Sequence, residues 1–416
     1  MTDTRSPAPG QCAAVDAIRA HFPALARTHH GYPVAYFDGP GGTQVPRQVA
    51  EAMTDYLLHH NANTHWAYPT SQETDAAIER AREAYADFFN ASPREVVFGQ
   101  NMTTLTLHLG RALARGWAAG DEVIVTELDH HANSDTWRAL THDRGIVVRT
   151  VPMDPASGEL QWEGLAAAFS PRTKLLAIGA ASNALGTVND VASAARLAHD
   201  AGALCFVDAV HFAAHELVDV QAMGCDFLAC SPYKFYGPHL GVLWGRRALL
   251  DAIDAPKLEP APDQAPDRLE TGTLSHEAIV GAAAAVDWLA SLAPAATSRR
   301  AALAATFGAL HARGLAQVSR LWDGLRAVRG VTVYGPPPTR PRTSTLSFAM
   351  ATHASDAVAR HCADRGLFVS NGDFYATTVV RRLGHAHDGL VRLGCAAYTT
   401  DDEVERVLAA VAELAR

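Results

Sequence analysis

A regular alternation of apolar runs and helical stretches constrains the fold of this chain more than any other feature of its sequence. The runs are short, rich in Val, Ile, Leu and Phe, and bounded by turn residues. Strands buried on both faces have this pattern, and strands separated by helices pair in parallel. We therefore predict an α/β domain whose mainly parallel, seven-stranded sheet is sandwiched by helices. The runs are 96–98, 122–125, 147–151, 175–178, 203–207, 227–230 and 241–244.

The length of 416 residues exceeds one ordinary core and predicts two domains. Residues 1–20 form a loose arm leading into a short helix, and 21–275 form the large domain. Residues 276–416 form a linking helix and a small C-terminal α/β domain. In that domain a long helical region over 276–328 precedes strands near 331–334, 343–349, 366–370 and 390–394 and a helix over 402–415.

Composition narrows the class of protein. A hydrophobic content of 48% and a charged content of 19% are typical of a soluble globular protein. The formal charge of −9 includes no basic cluster, which argues against nucleic acid as a partner. No apolar stretch approaches the roughly 20 residues that cross a bilayer, and no signal peptide begins the chain, so we expect a cytoplasmic enzyme. The spacing of the six cysteines predicts neither a metal site nor disulfides.

Two neighbouring apolar runs end near chemically matched side chains. The run 203–207 ends at Asp208, and the run 227–230 is followed by Ser231 and, three residues later, Lys234. Ligands of open α/β sheets bind outside the carboxyl ends of the strands, so both side chains should face one crevice. An acid that keeps a ring nitrogen protonated and a lysine that forms a Schiff base are what pyridoxal phosphate (PLP) chemistry requires.

The turn-rich segment 36–43 leaves another class of protein open. Its glycines would let the backbone approach a ligand closely, as in a nucleotide-binding α/β protein. The segment has neither the Walker pattern nor GxGxxG, which makes this alternative the weaker one.

Six motifs in order strengthen the PLP interpretation. With them the chain resembles the class V (fold type I) aminotransferase superfamily, specifically its cysteine-desulfurase-like branch, from about residue 36 to the C-terminus. The resemblance implies the fold type I architecture, PLP as cofactor and an α-amino acid as substrate. The motifs are Asp129-His130-His131-Ala132-Asn133, Ser182-Asn183-Ala184-Leu185-Gly186, Val207-Asp208-Ala209-Val210-His211, Ser231-Pro232-Tyr233-Lys234, Glu270-Thr271-Gly272-Thr273 and Val391-Arg392-Leu393-Gly394.

The resemblance assigns the residues around the cofactor ring. Lys234 would be the Schiff-base lysine and the base for the substrate Cα proton. Asp208 would pair with the pyridine nitrogen, and His130 would stack on the ring. Asn183 and His211 would bracket the 3-oxygen. The desulfurases usually carry Gln at the His211 position, and a core histidine is the alternative there.

The resemblance also assigns a phosphate site. Thr103 and Thr104 stand where a helix should begin, which suits an anion at a helix N-terminus. Ser231 and Tyr233 would add hydroxyl donors, with His usual in the family at the Tyr233 position. Thr273 would reach the phosphate of a neighbouring subunit, which implies a homodimer with shared active sites.

On the substrate side, Arg392 would hold the α-carboxylate, a bidentate task suited to guanidinium. His65 matches a substrate-side histidine of the family. Tyr375 falls where the desulfurases carry their nucleophilic cysteine, and Ser370 replaces an arginine that normally precedes it. A tyrosine cannot carry a persulfide. Tyr375 is expected to line the pocket and to act on a leaving group, and a packing aromatic is the favoured alternative.

Desulfuration by the usual route is therefore not expected. The cysteines nearest in sequence, Cys362 and Cys395, fit core positions. What remains is Cα deprotonation of an α-amino acid, leading to C–S lyase-type β-elimination or to transamination. A cysteine desulfurase acting by a non-standard route, an amino-acid epimerase and a non-catalytic PLP-binding protein stay open as alternatives.

Overall fold

The structure is a computed structural model that describes residues 12–416. The first eleven residues of the predicted arm lie outside this range. The helices are α1 Val15–Arg19, α2 Arg47–Asp55, α3 Pro69–Phe89, α4 Met102–Ala114, α5 Asp135–Arg144, α6 Trp162–Ala168, α7 Val191–Asp200, α8 Val220–Met223, α9 Arg247–Ala252, α10 His276–Ser291, α11 Arg299–Arg326, α12 Ser355–Ala363, α13 Thr377–Arg382 and α14 Asp401–Leu414.

The strands form one large sheet, one small sheet and three two-stranded pairs. They are β1 Thr28–His29, β2 Tyr32–Pro33, β3 Ala35–Tyr36, β4 Val96–Gly99, β5 Glu122–Thr126, β6 Val147–Val151, β7 Met153–Asp154, β8 Glu159–Leu160, β9 Thr173–Gly179, β10 Leu204–Asp208, β11 Phe227–Cys230, β12 Gly241–Gly245, β13 Val331–Tyr334, β14 Thr345–Met350, β15 Leu367–Phe368, β16 Ser370–Gly372 and β17 Leu390–Gly394.

The predicted seven-stranded sheet is confirmed, with the order β4-β12-β11-β10-β9-β5-β6. All its pairings are parallel except those of β12, which runs antiparallel to β11 and β4. Successive side chains of a strand point to opposite faces. In β10, Cys205 and Val207 enter one hydrophobic core while Phe206 enters the other, against Trp137. Both faces are covered, which explains the uninterrupted apolar runs.

The C-terminal part of the chain builds a four-stranded antiparallel sheet, β13-β14-β17-β16. Its core includes residues of α11, α12 and α14. The N-terminal strand β3 pairs in parallel with β15, so the segment just before Asp38 lies beside this sheet. Backbone pairing between Asp38 and Gly394 continues the contact to β17. An early segment of the chain therefore reaches the unit formed by the last third.

Two predicted elements differ from the structure. The helical region 276–328 is two helices, because Pro294 disfavours helix in the residue before it and Ser298 begins a new helix by accepting the Ala301 N–H at 3.2 Å. The predicted strand 366–370 is two short strands that pair with different partners, β15 with β3 and β16 with β17.

Helix α10 packs against α2 and α3. The division at residues 275/276 places α10 with the C-terminal unit, and it stays a prediction. No helix within 12–416 is both long and apolar enough to cross a bilayer. The six cysteines are all free thiols.

Candidate active site

The carboxyl ends of β10 and β11 open into a cavity at the edge of the seven-stranded sheet. It contains about 580 Å³ of space, including open solvent at its mouth. Ten of its fifteen lining residues are polar or charged. The lining comprises Asn101, Met102, Thr103, Asp129, His130, Ala132, Gly179, Ala181, Asn183, Asp208, Val210, His211, Ser231, Tyr233 and Lys234.

Lys234 ends a short 3₁₀ turn that follows β11, and it is 8% exposed. Its Nζ donates to the carbonyl oxygens of Pro40 and, at 3.2 Å, Gly41. Burial, together with the charge of Arg392, lowers the pKa of the Lys234 ammonium to about 8. An amine with this pKa is neutral in an appreciable fraction of molecules near neutral pH, as a nucleophile or base must be.

Asp208 lies at the last position of β10 and is buried. Its carboxylate accepts the Val210 N–H at 2.9 Å. Burial raises the pKa of Asp208 to about 6, and the charge of Lys234 partly offsets that rise. Near pH 7 the carboxylate is therefore largely ionised, although it is buried.

A second buried carboxyl group, Asp129, lines the same cavity. It accepts hydrogen bonds from the Gly179 N–H at 2.5 Å and from the hydroxyl of Thr126 at 2.9 Å. Burial and the negative charge of Asp208 raise the pKa of Asp129 to about 7. Two carboxyl groups therefore share this end of the cavity with different proton occupancies.

His130 follows β5 and lines the cavity with a neutral ring. Burial, followed by the charge of Lys234, lowers its pKa to about 4. The Ala132 N–H donates to His130 Nδ1 at 3.0 Å, so the ring proton lies on Nε2. The ring of Tyr375 stacks on this imidazole.

Asn183 and His211 each present a buried polar atom that has no partner among residues 12–416. The Asn183 amide donates to the Phe374 carbonyl at 2.9 Å, and its Oδ1 is left unpaired. His211 Nε2 shares a hydrogen bond with the Thr343 hydroxyl at 3.1 Å, and its Nδ1 is left unpaired. Burial holds the pKa of His211 well below its usual value. Unpaired polar atoms in a buried site indicate that a polar ligand belongs there.

The opposite end of the cavity meets the N-terminus of α4. Asn101 caps this helix by accepting the Thr104 N–H at 2.9 Å, and the Thr104 hydroxyl donates to the same oxygen. Thr103 lines the cavity, and the Met102 N–H donates to the Ser231 hydroxyl at 3.2 Å. The N-terminus of a helix suits a phosphate, because the helix dipole and the backbone N–H groups there favour an anion.

Arg392 comes from β17 and is 4% exposed. It donates to the Asn183 carbonyl at 3.0 Å and to the Ser370 hydroxyl at 3.2 Å. Its guanidinium lies 4.2 Å from the ring centre of Phe374. Burial lowers the pKa of Arg392 to about 10, and its Nε has no hydrogen-bond partner in the part of the chain that the structure describes. The guanidinium therefore stays cationic at neutral pH next to the cavity.

The structure does not bring every predicted site residue into this cavity. Tyr375, expected to line the pocket, is 72% exposed and is not among the lining residues, although its ring stacks on His130. Thr104 is turned toward Asn101, and Thr273 is exposed on the loop after Glu270. The side chain of His65 is 82% exposed and pairs with Asp75 at 3.2 Å. Their predicted roles are not tested by a single chain.

Other residues belong to the site although the sequence interpretation assigned them no role. Asp129 belongs to a motif in which only His130 was assigned a role. Asn101, the residue before α4, was assigned none. The carbonyl oxygens of Pro40 and Gly41 accept hydrogen bonds from Lys234. Phe374 places its ring against the Arg392 guanidinium, and its carbonyl accepts from the Asn183 amide. The glycine-rich turn around residue 40 was a signal of close backbone approach, but its partner is the lysine.

Comparison with known proteins identifies the family. The model of the aminotransferase class-V family matches residues 35–407. The chain belongs to the class V aminotransferase family. A cysteine desulfurase from Klebsiella pneumoniae (strain 342) is 34% identical over 423 residues, covering 95% of this chain and 97% of that protein.

Solved structures agree with this class V assignment. The apo structure of a cysteine desulfurase from Thermococcus onnurineus NA1 has a TM-score of 0.87 at 27% identity and covers 100% of this chain and 99% of its own. A cysteine desulfurase from Escherichia coli has a TM-score of 0.84 at 27% identity, with 97% and 99% coverage. The protein is therefore a fold type I, PLP-dependent class V enzyme.

The residues present fit this cofactor. The cavity combines a lysine of lowered pKa, a buried carboxylate, a neutral histidine and the N-terminus of a helix. The unpaired atoms of Asn183 and His211 provide polar partners for a ring substituent. Such a set can hold an aldehyde, a ring nitrogen and a phosphate at separate points.

Proposed function

We propose that this class V enzyme deprotonates an α-amino acid at Cα and cleaves a C–S bond of its side chain by β-elimination. The observation that carries the proposal is that Lys234 and Asp208 line one cavity, while the Arg392 guanidinium beside it acts on the pKa of Lys234 and donates to the carbonyl of the lining residue Asn183. When bound, PLP supplies an electron sink for the charge that develops at Cα.

Arg392 would bind and orient the substrate. Its guanidinium is buried, cationic and supported by Phe374 on one face. A fixed, planar fork of donors suits the two oxygens of an α-carboxylate. Holding the carboxylate would direct the Cα–H bond toward Lys234.

Lys234 would move the proton. With a pKa of about 8, its Nζ can accept a proton near neutral pH and return it later. Asp208, which is largely ionised at pH 7, would hold a proton on the cofactor ring nitrogen through a charge-assisted hydrogen bond. His130, neutral with Nε2–H, would pack on the ring.

The proposed reaction differs from that of the related cysteine desulfurases in where the sulfur goes. No cysteine lines the cavity within the described residues. Cys362 and Cys395 are 0% and 3% exposed, and burial raises the pKa of each thiol to about 12. Neither is a competent nucleophile. We propose that the enzyme shares C–S cleavage with its relatives and releases the sulfur product to solvent.

Transamination is the second candidate. It requires the same lysine, carboxylate and carboxylate clamp, and it needs no sulfur acceptor. The two reactions differ in their products, which are pyruvate, ammonia and a thiol or sulfide in one case and a keto acid without net ammonia in the other.

We also propose a homodimer with shared active sites. Arg82 holds Glu270 through two contacts of 2.9 Å, and Glu270 accepts the Phe98 N–H at 2.8 Å. The loop that carries Thr273 leaves this anchor toward solvent. An anchored loop with an exposed Thr273 supports contact with a second subunit. The cytoplasmic location stays a prediction.

The test uses the fact that the chain has three lysines, at 174, 234 and 257. Borohydride treatment of the PLP-loaded protein, followed by peptide mass spectrometry, should place the label on Lys234. Lys234→Ala should lose the label and the visible absorbance, while the surface variants Lys174→Arg and Lys257→Arg should keep both. A label on 174 or 257 alone would overturn the proposal.

A screen of amino acids with the PLP-loaded enzyme would identify the reaction. Pyruvate, ammonia, sulfide and keto acids are measured as products. β-Elimination predicts pyruvate and ammonia in equal amounts from a cysteine-type thioether, with no protein-bound persulfide. A keto acid of the substrate without ammonia would favour transamination. Persulfide on Cys362 or Cys395 would restore desulfuration by a non-standard route.

A further inference from the structure

A carboxylate of the protein lies against the arginine that would clamp the substrate. Asp38 Oδ1 is 3.5 Å from Arg392 Nη2. The Ser370 hydroxyl connects the two, because it donates to Asp38 Oδ1 at 2.6 Å and accepts from Arg392 Nη2 at 3.2 Å. The Nη2 group of Arg392 is therefore already in contact with the Asp38 carboxylate and the Ser370 hydroxyl.

The position of the Asp38 carboxylate is well defined. A Cβ added at Gly41 would lie 2.5 Å from Asp38 Oδ1, so the carboxylate packs directly on the backbone of that glycine. The N–H groups of Gly41 and Gly42 donate to the Asp38 carbonyl at 2.9 and 3.0 Å. Nearly half of the Asp38 side chain is still exposed, so the carboxylate beside Arg392 is accessible to solvent.

The remaining donors of Arg392 show what is left for a substrate. Nη1 donates to the Asn183 carbonyl at 3.0 Å, and Nε is buried without a partner within the described residues. A carboxylate arriving at Arg392 would pair with Nε and would compete with Asp38 for the neighbouring Nη2. A second negative charge on the ligand would meet Asp38 at short range, where like charges repel.

We propose that Asp38, aimed by Ser370, is a positioning and specificity-determining residue that competes with the substrate carboxylate for Arg392 and excludes acidic side chains. The substrate class is then an amino acid with one carboxylate and an uncharged side chain. This inference rests on the proposed role of Arg392 in carboxylate binding.

The test measures binding of propionate and succinate to the PLP-loaded enzyme by isothermal titration calorimetry. Neither ligand has an amine, so neither can react. Asp38→Asn should bind propionate about tenfold more tightly and succinate by a larger factor, because one like-charge contact disappears. Ser370→Ala keeps the charge but removes the hydroxyl that aims it, and should tighten propionate binding by a smaller factor. Asp254→Asn, on the surface beside Arg115, should change neither.

Arg392→Gln distinguishes a failure of the proposed carboxylate clamp from a failure of the proposed role of Asp38. Loss of propionate binding in this variant supports the clamp, and unchanged binding would overturn the proposed function itself. If Arg392→Gln abolishes binding while Asp38→Asn and Ser370→Ala bind both ligands as the unaltered enzyme does, the clamp stands and the role of Asp38 is overturned. A purely structural role for Asp38 would weaken both ligands equally, and that result also contradicts the proposal.

Discussion

The aromatic ring of Tyr375 stacks on the imidazole of His130, with 5.5 Å between the ring centres and 23° between the planes. Phe374 and Tyr375 both have positive φ angles, of 58° and 54°, which are uncommon for residues with side chains. The His131 N–H donates to the Tyr375 carbonyl at 2.7 Å and holds this conformation. A strained loop thus presents an aromatic ring where the related desulfurases are expected to carry cysteine.

This stack predicts the behaviour of variants at Tyr375. Tyr375→Ala should lower kcat/KM about two- to tenfold, because aromatic pairs contribute roughly 0.5–1.5 kcal/mol beyond their buried area. Tyr375→Phe keeps the ring and should stay within about twofold. Steady-state kinetics with the best amino acid of the screen measures both, and Tyr32→Ala, an exposed tyrosine elsewhere, serves as control. An equal loss in the Ala and Phe variants would mean that the hydroxyl group, not the stack, matters.

The lowered pKa of Lys234 predicts how cofactor loading depends on pH. Only the neutral amine can react with an aldehyde, so the rate of PLP incorporation should rise about fivefold from pH 7 to pH 8 and level off above. The charge of Arg392 contributes to the lowered pKa, so Arg392→Gln should shift the curve to higher pH. Stopped-flow absorbance gives the rates, with the exposed Arg360→Gln as control. A rate that does not vary between pH 6.5 and 9 would contradict this pKa.

The buried carboxyl groups predict a decrease of stability with rising pH. The pKa of Asp129 is raised from 3.8 to about 7 in the folded protein, and that of Asp208 to about 6. The folded chain therefore binds more protons than the unfolded chain, and the free energy of unfolding should fall as the pH rises from about 4 to 7. The Asp129 contribution is at most about 4 kcal/mol.

Urea unfolding of the cofactor-free protein between pH 4.5 and 7.5 checks this expectation. Asp129→Asn keeps an oxygen that can accept from Gly179 but cannot ionise, so its unfolding free energy should decline less steeply over the same range. The difference in unfolding free energy between the variant and the unaltered protein should be largest above pH 6. A variant with the same slope as the unaltered protein would show that Asp129 does not carry the effect.

The ion pair of Arg82 and Glu270 predicts a loss of stability on truncation. Their side chains are 3% and 8% exposed and meet through two hydrogen bonds. Arg82→Leu should destabilise the protein by about 3–5 kcal/mol, because it leaves a buried, uncompensated carboxylate. Chemical denaturation measures the change. The double variant Arg82→Leu with Glu270→Leu should recover only part of it, since the Phe98 N–H then loses its acceptor.

Several parts of the fold follow from local pattern alone. The uninterrupted apolar runs, the helical stretches between them and the positions of Asp208 and Lys234 just beyond two strand ends predicted the parallel sheet and the shared crevice. Parallel strands end at the same edge of a sheet, and the adjacency of β10 and β11 brings these two side chains together. Pro294 and Ser298 are local signals of the break between α10 and α11.

The sequence by itself determined which residues end the strands of the large sheet. A strand that is buried on both faces must be apolar along its whole length, so each strand is visible as a continuous apolar run. Only the tertiary structure decided that Asp38 and Ser370 would engage Arg392, that Tyr375 would stack on His130, and that Pro40 and Gly41 would receive the lysine. These contacts join segments from opposite ends of the chain through the packing of two sheets. No periodicity along the sequence records such packing, so it becomes visible only once the elements are assembled.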